Sequence, residues 1–181
     1  MSYRNRCHLA GAEGVIHLSI PLQKGRDQKT LVKDVRIADR NDWQSRHWKT
    51  IVSCYSRSPW FEYYRDELGD LYRRPFHFLV DWNLACFEWS LKILQMPISF
   101  SLTTAYQKSY VAEQWTDWRG AILPKNQHVD PDRHADNTAP IKYRQVFEER
   151  TGFLPNLSIL DLLFCEGKNA RVLLQKDAQK R

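Results

Sequence analysis

Two periods of apolar residues divide the chain near residue 41. Before it, alternation dominates: Ile16, Leu18 and Ile20 alternate with Val15, His17 and Ser19, which puts every second side chain on one face of a strand. The stretch AGAEG separates this run from YRNRCHL, and two strand-forming runs joined by glycines tolerant of positive φ read as a β-hairpin. LVKDVRIA, with Val35 and Ile37 facing inward, reads as a third short strand, making a small, largely antiparallel sheet.

From Asp42 the period is helical. Trp43, His47, Ile51 and Tyr55 recur at i, i+4 as one stripe, with Asn41 or Asp42 placed to cap the start. PWFEYYRDELGDLY reads as a second helix with Pro59 in its first turn, where the missing N–H costs nothing. PFHFLVDWNLACFEWSLKIL, starting at Pro75 and apolar on most sides, predicts a buried helix closed by Met96-Pro97. ISFSLTTAY then reads as a strand, and helix-then-strand order points to a crossover. The end reads as helical: IKYRQVFEERTG stopped by Gly152, NLSILDLLFCEG with Asn156 as N-cap, and KNARVLLQKDAQKR. The expected fold class is α+β, or α/β if the crossover forms, with a small N-terminal sheet and hairpin against several helices and a helical C-terminus. One domain is expected over residues 1–175, with a long irregular insertion at 107–140 and a polar tail at 176–181. Trp115, Trp118 and Ile122 predict that part of the insertion packs.

Composition narrows the function classes. At 181 residues and 43% hydrophobic, the chain can bury one good core. The net charge of +6 is spread along the chain, which weakens a nucleic-acid reading and leaves a soft preference for small anions. Cys7, Cys54, Cys86 and Cys165 show no CxxC spacing, and reduced thiols are expected. No apolar run approaches the ~20 residues of a membrane helix, and no signal peptide precedes the first strand. A cytoplasmic protein without membrane insertion is the expectation; the sequence names no cofactor and no oligomeric state.

No GxGxxG, P-loop, HExxH, GxSxG or paired-cysteine motif is present, so candidate chemistry rests on weaker groupings. Arg4 and Arg6, flanking Asn5 in the first strand, would share one face and can pinch a phosphate or carboxylate, or simply face solvent. His47 shares its helical stripe with Trp43 and Tyr55, a setting for a packed histidine or a general base. HVDPDRHAD gathers His128, Asp130, Asp132, His134 and Asp136, but it lacks the glycine and closing glutamate of a calcium loop, so no metal site is assigned. In GFLPNLSILDLLF, Asn156 and Ser158 stand at a helix start able to bind an anion. Asp161, a carboxylate in an apolar run, needs a partner, for which Arg4 or Arg6 is a candidate.

The blocks YRNRC, SIPL, DVRI, WQSRHWKTIVSCYSRSPWFEYYRDEL, FLVDWN and above all YRQVFEERTGFLPNLSILDLLFCEG resemble the WbqC-like protein family, in the family's order, from about Tyr3 to Leu174. The form of RNRC and PNLSILDLLF looks most like members from Bacteroidetes. The resemblance implies an intracellular transferase-like enzyme of O-antigen and other surface-polysaccharide biosynthesis, acting on a sugar nucleotide or other activated sugar. The alternative is a non-catalytic binding or assembly protein of such a pathway. The family's recurrent polar residues map onto Arg4, Asn5, Arg6, His47, Asn83, Asn156, Ser158 and Asp161. The expected roles are His47 and Asp161 in catalysis, the aspartate tuning an arginine or the histidine, and Arg4, Asn5, Arg6, Tyr55, Asn83, Asn156 and Ser158 in substrate binding. Family members usually carry a further strand and Pro/aromatic turn before the NRC block. Its absence here leads to the expectation of a truncated or mis-started chain with an exposed sheet edge.

Overall fold

The computed structural model describes residues 3–23, 30–39, 42–111, 114–117 and 140–178. Strands β1 (Arg6–Gly11) and β2 (Gly14–Ser19) pair antiparallel from Arg6↔Ser19 to Gly11↔Gly14. The turn needs a glycine at Gly14, whose φ of 120° lies where L side chains are strained. Ile16, Leu18 and Ile20 face inward and Val15, His17 and Ser19 face solvent, as the alternation predicts.

The third strand does not form. Val32–Asp34 is a 3-10 turn, and Arg36 and Ile37 beyond it make only isolated bridges, Leu22↔Ile37 and Arg36↔Phe78. Pro21, directly after the hairpin, has no N–H to extend a ladder. The segment therefore divides its hydrogen bonds: the Ala38 and Gln23 N–H groups bond across residues 21–38, while Ile37 N–H donates to the carbonyl of His77. Ile37 is nevertheless buried, in keeping with its place on the inward face.

Helix α1 (Trp43–Tyr55) buries the expected stripe of Trp43, His47, Ile51 and Tyr55, with Asp42 in the cap position but no side-chain cap bond. Helix α2 (Phe61–Arg73) follows a turn that contains Pro59 and buries Phe61, Tyr64, Leu68, Leu71 and Tyr72. Helix α3 (Leu79–Leu94) starts four residues after Pro75, because the backbone around His77 and Phe78 is extended and bonded to residues 36–37. It is not enclosed on all sides: Leu79, Trp82, Trp89 and Leu94 are buried while Phe87 and Glu88 are exposed.

No strand follows α3 among the described residues. Ile98, Phe100, Leu102 and Tyr106 are exposed, and none of them pairs with β1 or β2. The crossover is thus absent, and the class is α+β. IKYRQVFEERTG is helical only over α4 (Glu148–Thr151), ended by Gly152 at φ 69°. Before it, the Gln145 side chain exchanges two 2.8 Å bonds with the Leu154 backbone, holding residues 143–154 as a folded loop. Helix α5 (Ile159–Glu166) is the central one, burying Leu160 through Phe164 without a break, and α6 (Asn169–Ala178) packs against it. At Gly167 between them a Cβ would lie within the Trp60 ring, which fixes the residue type. Of the irregular stretch 107–140, the described parts are exposed apart from Tyr110, including Trp115. Trp118, Ile122 and the whole HVDPDRHAD cluster, with His128, Asp130, Asp132, His134 and Asp136, lie outside the described residues.

Candidate functional site

Where the start of the chain and β2 meet α1, α2, α3 and the N-terminus of α5, a cavity of about 160 Å3 opens. Six of the residues singled out from the sequence line it: Arg4, Asn5, Arg6, His47, Asn83 and Ser158. They arrive there by a different route from the one predicted. Tyr3–Asn5 is a 3-10 turn rather than strand, so Arg4 and Arg6 are not i, i+2 neighbours on one pleated face. The turn is pinned instead. Asn5 Nδ2 donates to the Ile20 carbonyl at 3.0 Å, Ile20 N–H returns a 2.9 Å bond to the Asn5 carbonyl, and Asn83 Nδ2 on α3 donates to the Arg4 carbonyl at 3.0 Å. Both amides thus hold the backbone that carries the two arginines. Arg4 is exposed and Arg6 half-buried, and they are the only charged side chains lining the cavity among the described residues.

His47 is 8% exposed and packed edge-on against Trp43, ring centroids 5.1 Å apart. Burial lowers its pKa below the usual imidazole value, a hydrogen bond with the Ser19 backbone partly restores it, and Arg46 lowers it further. At neutral pH it is therefore an uncharged imidazole, able to accept a proton. The remaining lining is largely aromatic and apolar, with Tyr72, Trp82, Trp89, Leu18 and Ile20. Burial pushes the Cys7 thiol up to about 11 and Cys86 up to about 12, the latter helped by Cys7, so neither lining cysteine is a thiolate at neutral pH.

Asp161 and Tyr55 are not at this cavity. Asp161 is fully buried, and its expected arginine partner is replaced by two phenols: Tyr55 Oη donates to Oδ1 and Tyr143 Oη to Oδ2, each at 2.7 Å. Burial raises the Asp161 pKa and the two phenol bonds lower it. Burial, with the aspartate's charge second, holds both tyrosines protonated well above their ordinary value. Tyr55 Oη also accepts from Ala10 N–H at 2.9 Å, and Ser158 N–H donates to the His8 carbonyl at 2.8 Å. These two bonds occupy outward-facing groups of β1, so at these positions the expected open sheet edge is closed. Asn156 stands apart at φ 59° and exposed; Ser158 is the N-cap of α5, its Oγ accepting from Leu160 N–H.

Sequence reasoning missed Tyr143, which sits in the segment read as helix, and the aromatic wall. The wall had a signal: Trp82, Cys86 and Trp89 lie at i, i+4, i+7 on α3, one face together with Asn83 and Ser90. Among the described residues no group of three or more His, Cys, Asp or Glu is placed to hold a metal ion, and no helix is long and apolar enough to cross a membrane.

Fold and cavity together define an α+β protein with a small pocket rimmed by arginines. A family model, the WbqC-like protein family, matches residues 1–172, and the chain belongs to that family. No curated protein and no solved structure matches it.

Proposed function

We propose that this protein is a transferase-like enzyme of bacterial surface-polysaccharide (O-antigen) biosynthesis, working in the cytoplasm on an activated or nucleotide-linked sugar. Membership of the WbqC-like family points toward polysaccharide chemistry. The observation that carries the reading is the convergence of Arg4, Arg6 and His47 on one cavity. In a glycosyl transfer the acceptor hydroxyl gives its proton to the neutral His47 imidazole as its oxygen bonds to the anomeric carbon. The bond from that carbon to the phosphate oxygen breaks, and its electron pair leaves with the phosphate. Arg4 and Arg6 stabilise the charge that develops there, as fixed cations do beside a leaving phosphate. Asn5 and Asn83 act as positioning residues through the backbone they hold.

Thermal-shift and saturation-transfer NMR screening of the chain against sugar nucleotides tests this: a raised melting temperature and ligand signals are expected, and no response across the panel sinks the proposal. A second reading, a non-catalytic binding or assembly protein of the same pathway, draws on the exposed run of Ile98, Phe100 and Leu102. His47→Ala in the native organism separates the two. Loss of surface glycan with a normally folded protein supports the enzyme, whereas retained glycan favours the binding role.

A further inference from the structure

The cavity's volume of about 160 Å3 is roughly half the lower end of the ~300–1,000 Å3 range of pockets that enclose drug-sized ligands. Base, ribose, two phosphates and a sugar cannot all be enclosed in it, whereas a single sugar ring can. Its lining is graded: Tyr72, Trp82, Trp89 and His47 are buried, while the charge sits on Arg4, which is exposed, and Arg6, which is half-buried. Aromatic faces suit the C–H face of a pyranose, and guanidinium forks suit phosphate oxygens. The Trp89 indole N–H has neither a hydrogen-bond partner nor accessible surface, so it is screened from a ligand in this geometry. Ser90 Oγ donates to the Cys86 carbonyl of its own helix. Polar recognition inside the pocket therefore falls to His47 and the Tyr72 hydroxyl.

Resting on the activity proposed above, we infer that the protein recognises a sugar together with its first phosphate, and leaves the nucleoside outside. The ring lies enclosed against Trp82 beside His47, the phosphate stands at Arg4 and Arg6, and the base adds little to affinity.

Isothermal titration of the full chain tests this with N-acetylglucosamine 1-phosphate and glucose 1-phosphate, their UDP-linked forms, UDP alone and the two free sugars. For at least one sugar, the 1-phosphate is expected to bind within about tenfold of its UDP-linked form, with UDP and the free sugar at least about a hundredfold weaker. Arg6→Gln, and Arg4→Gln as a second variant should the first misfold by circular dichroism, is expected to weaken the 1-phosphate by about tenfold or more. UDP binding within about tenfold of a UDP-sugar overturns the inference and leaves the sugar-nucleotide activity standing. So does a UDP-sugar that binds while its 1-phosphate is silent, or a folded arginine variant with unchanged affinity. No binding by any probe overturns both.

Discussion

Asp161 and His47 stand for two fates of a buried polar side chain. Asp161 is consumed by structure: its carboxylate ends a chain of bonds from Ala10 N–H through Tyr55, with Tyr143 on its other oxygen. Tyr143→Phe removes one of those donors and should cost about 1–3 kcal/mol, while Asp161→Ala strands the buried Tyr55 phenol and the half-buried Tyr143 phenol and should cost about 2–5 kcal/mol. Urea unfolding monitored by circular dichroism checks both; a loss under half a kilocalorie for Asp161→Ala, on the order of a surface change, contradicts the network. The need for a partner at Asp161 was legible, since a carboxylate in ILDLLF cannot stay alone. Its identity was not, because Tyr55 and Tyr143 reach it across 106 and 18 residues of chain. His47 faces the cavity instead, and His47→Gln should leave the fold intact while lowering transfer by about 10²–10⁴-fold, the usual contribution of a general base. Glycan transfer measured on purified variants reads this out.

Elements were legible where period and partner agreed. The hairpin and α1 announced themselves because their buried faces follow strict periods of two and of about four residues. ISFSLTTAY carries the same period-two signal, yet Ile98, Phe100 and Leu102 stay exposed and pair with no strand. LVKDVRIA failed for a related reason: Pro21 interrupts the pairing that would have extended the sheet. The junction between α5 and α6 lies close against Trp60, the residue that precedes α2. Gly167 has φ 55° and abuts the Trp60 ring, so Gly167→Ala combines backbone strain with overpacking. About 2–5 kcal/mol of destabilisation is expected from those two causes together. A melting temperature equal to wild type would contradict the packing described.

At the scale of the whole molecule, stability should depend on pH through the buried His47 and the half-buried His8. The folded pKa of His47 is depressed by burial, and that of His8 by burial, His17 and Arg6, relative to 6.5. The unfolded chain thus binds more protons as pH drops below about 6.5, so stability falls through that window and levels off once the folded imidazoles titrate. Asp161 acts oppositely, since its raised pKa makes the folded chain the better proton binder between 3.8 and its own folded pKa. Urea midpoints from pH 5 to 7 should rise with pH, and His47→Gln should flatten the slope. Function also belongs to this scale, because the pocket exists only where the chain start, β2, α1, α2, α3 and α5 meet. Individual residues such as Arg4, Arg6 and His47 could be nominated from the sequence, but their meeting in one small pocket is a property of the folded chain. The most direct test is a two-dimensional amide NMR titration with UDP-N-acetylglucosamine and UDP-glucose. Shifts concentrated at residues 3–7, His47, 82–90 and 158–160 are predicted, and no shifts, or shifts centred elsewhere, would contradict the assignment of this cavity as the activated-sugar site.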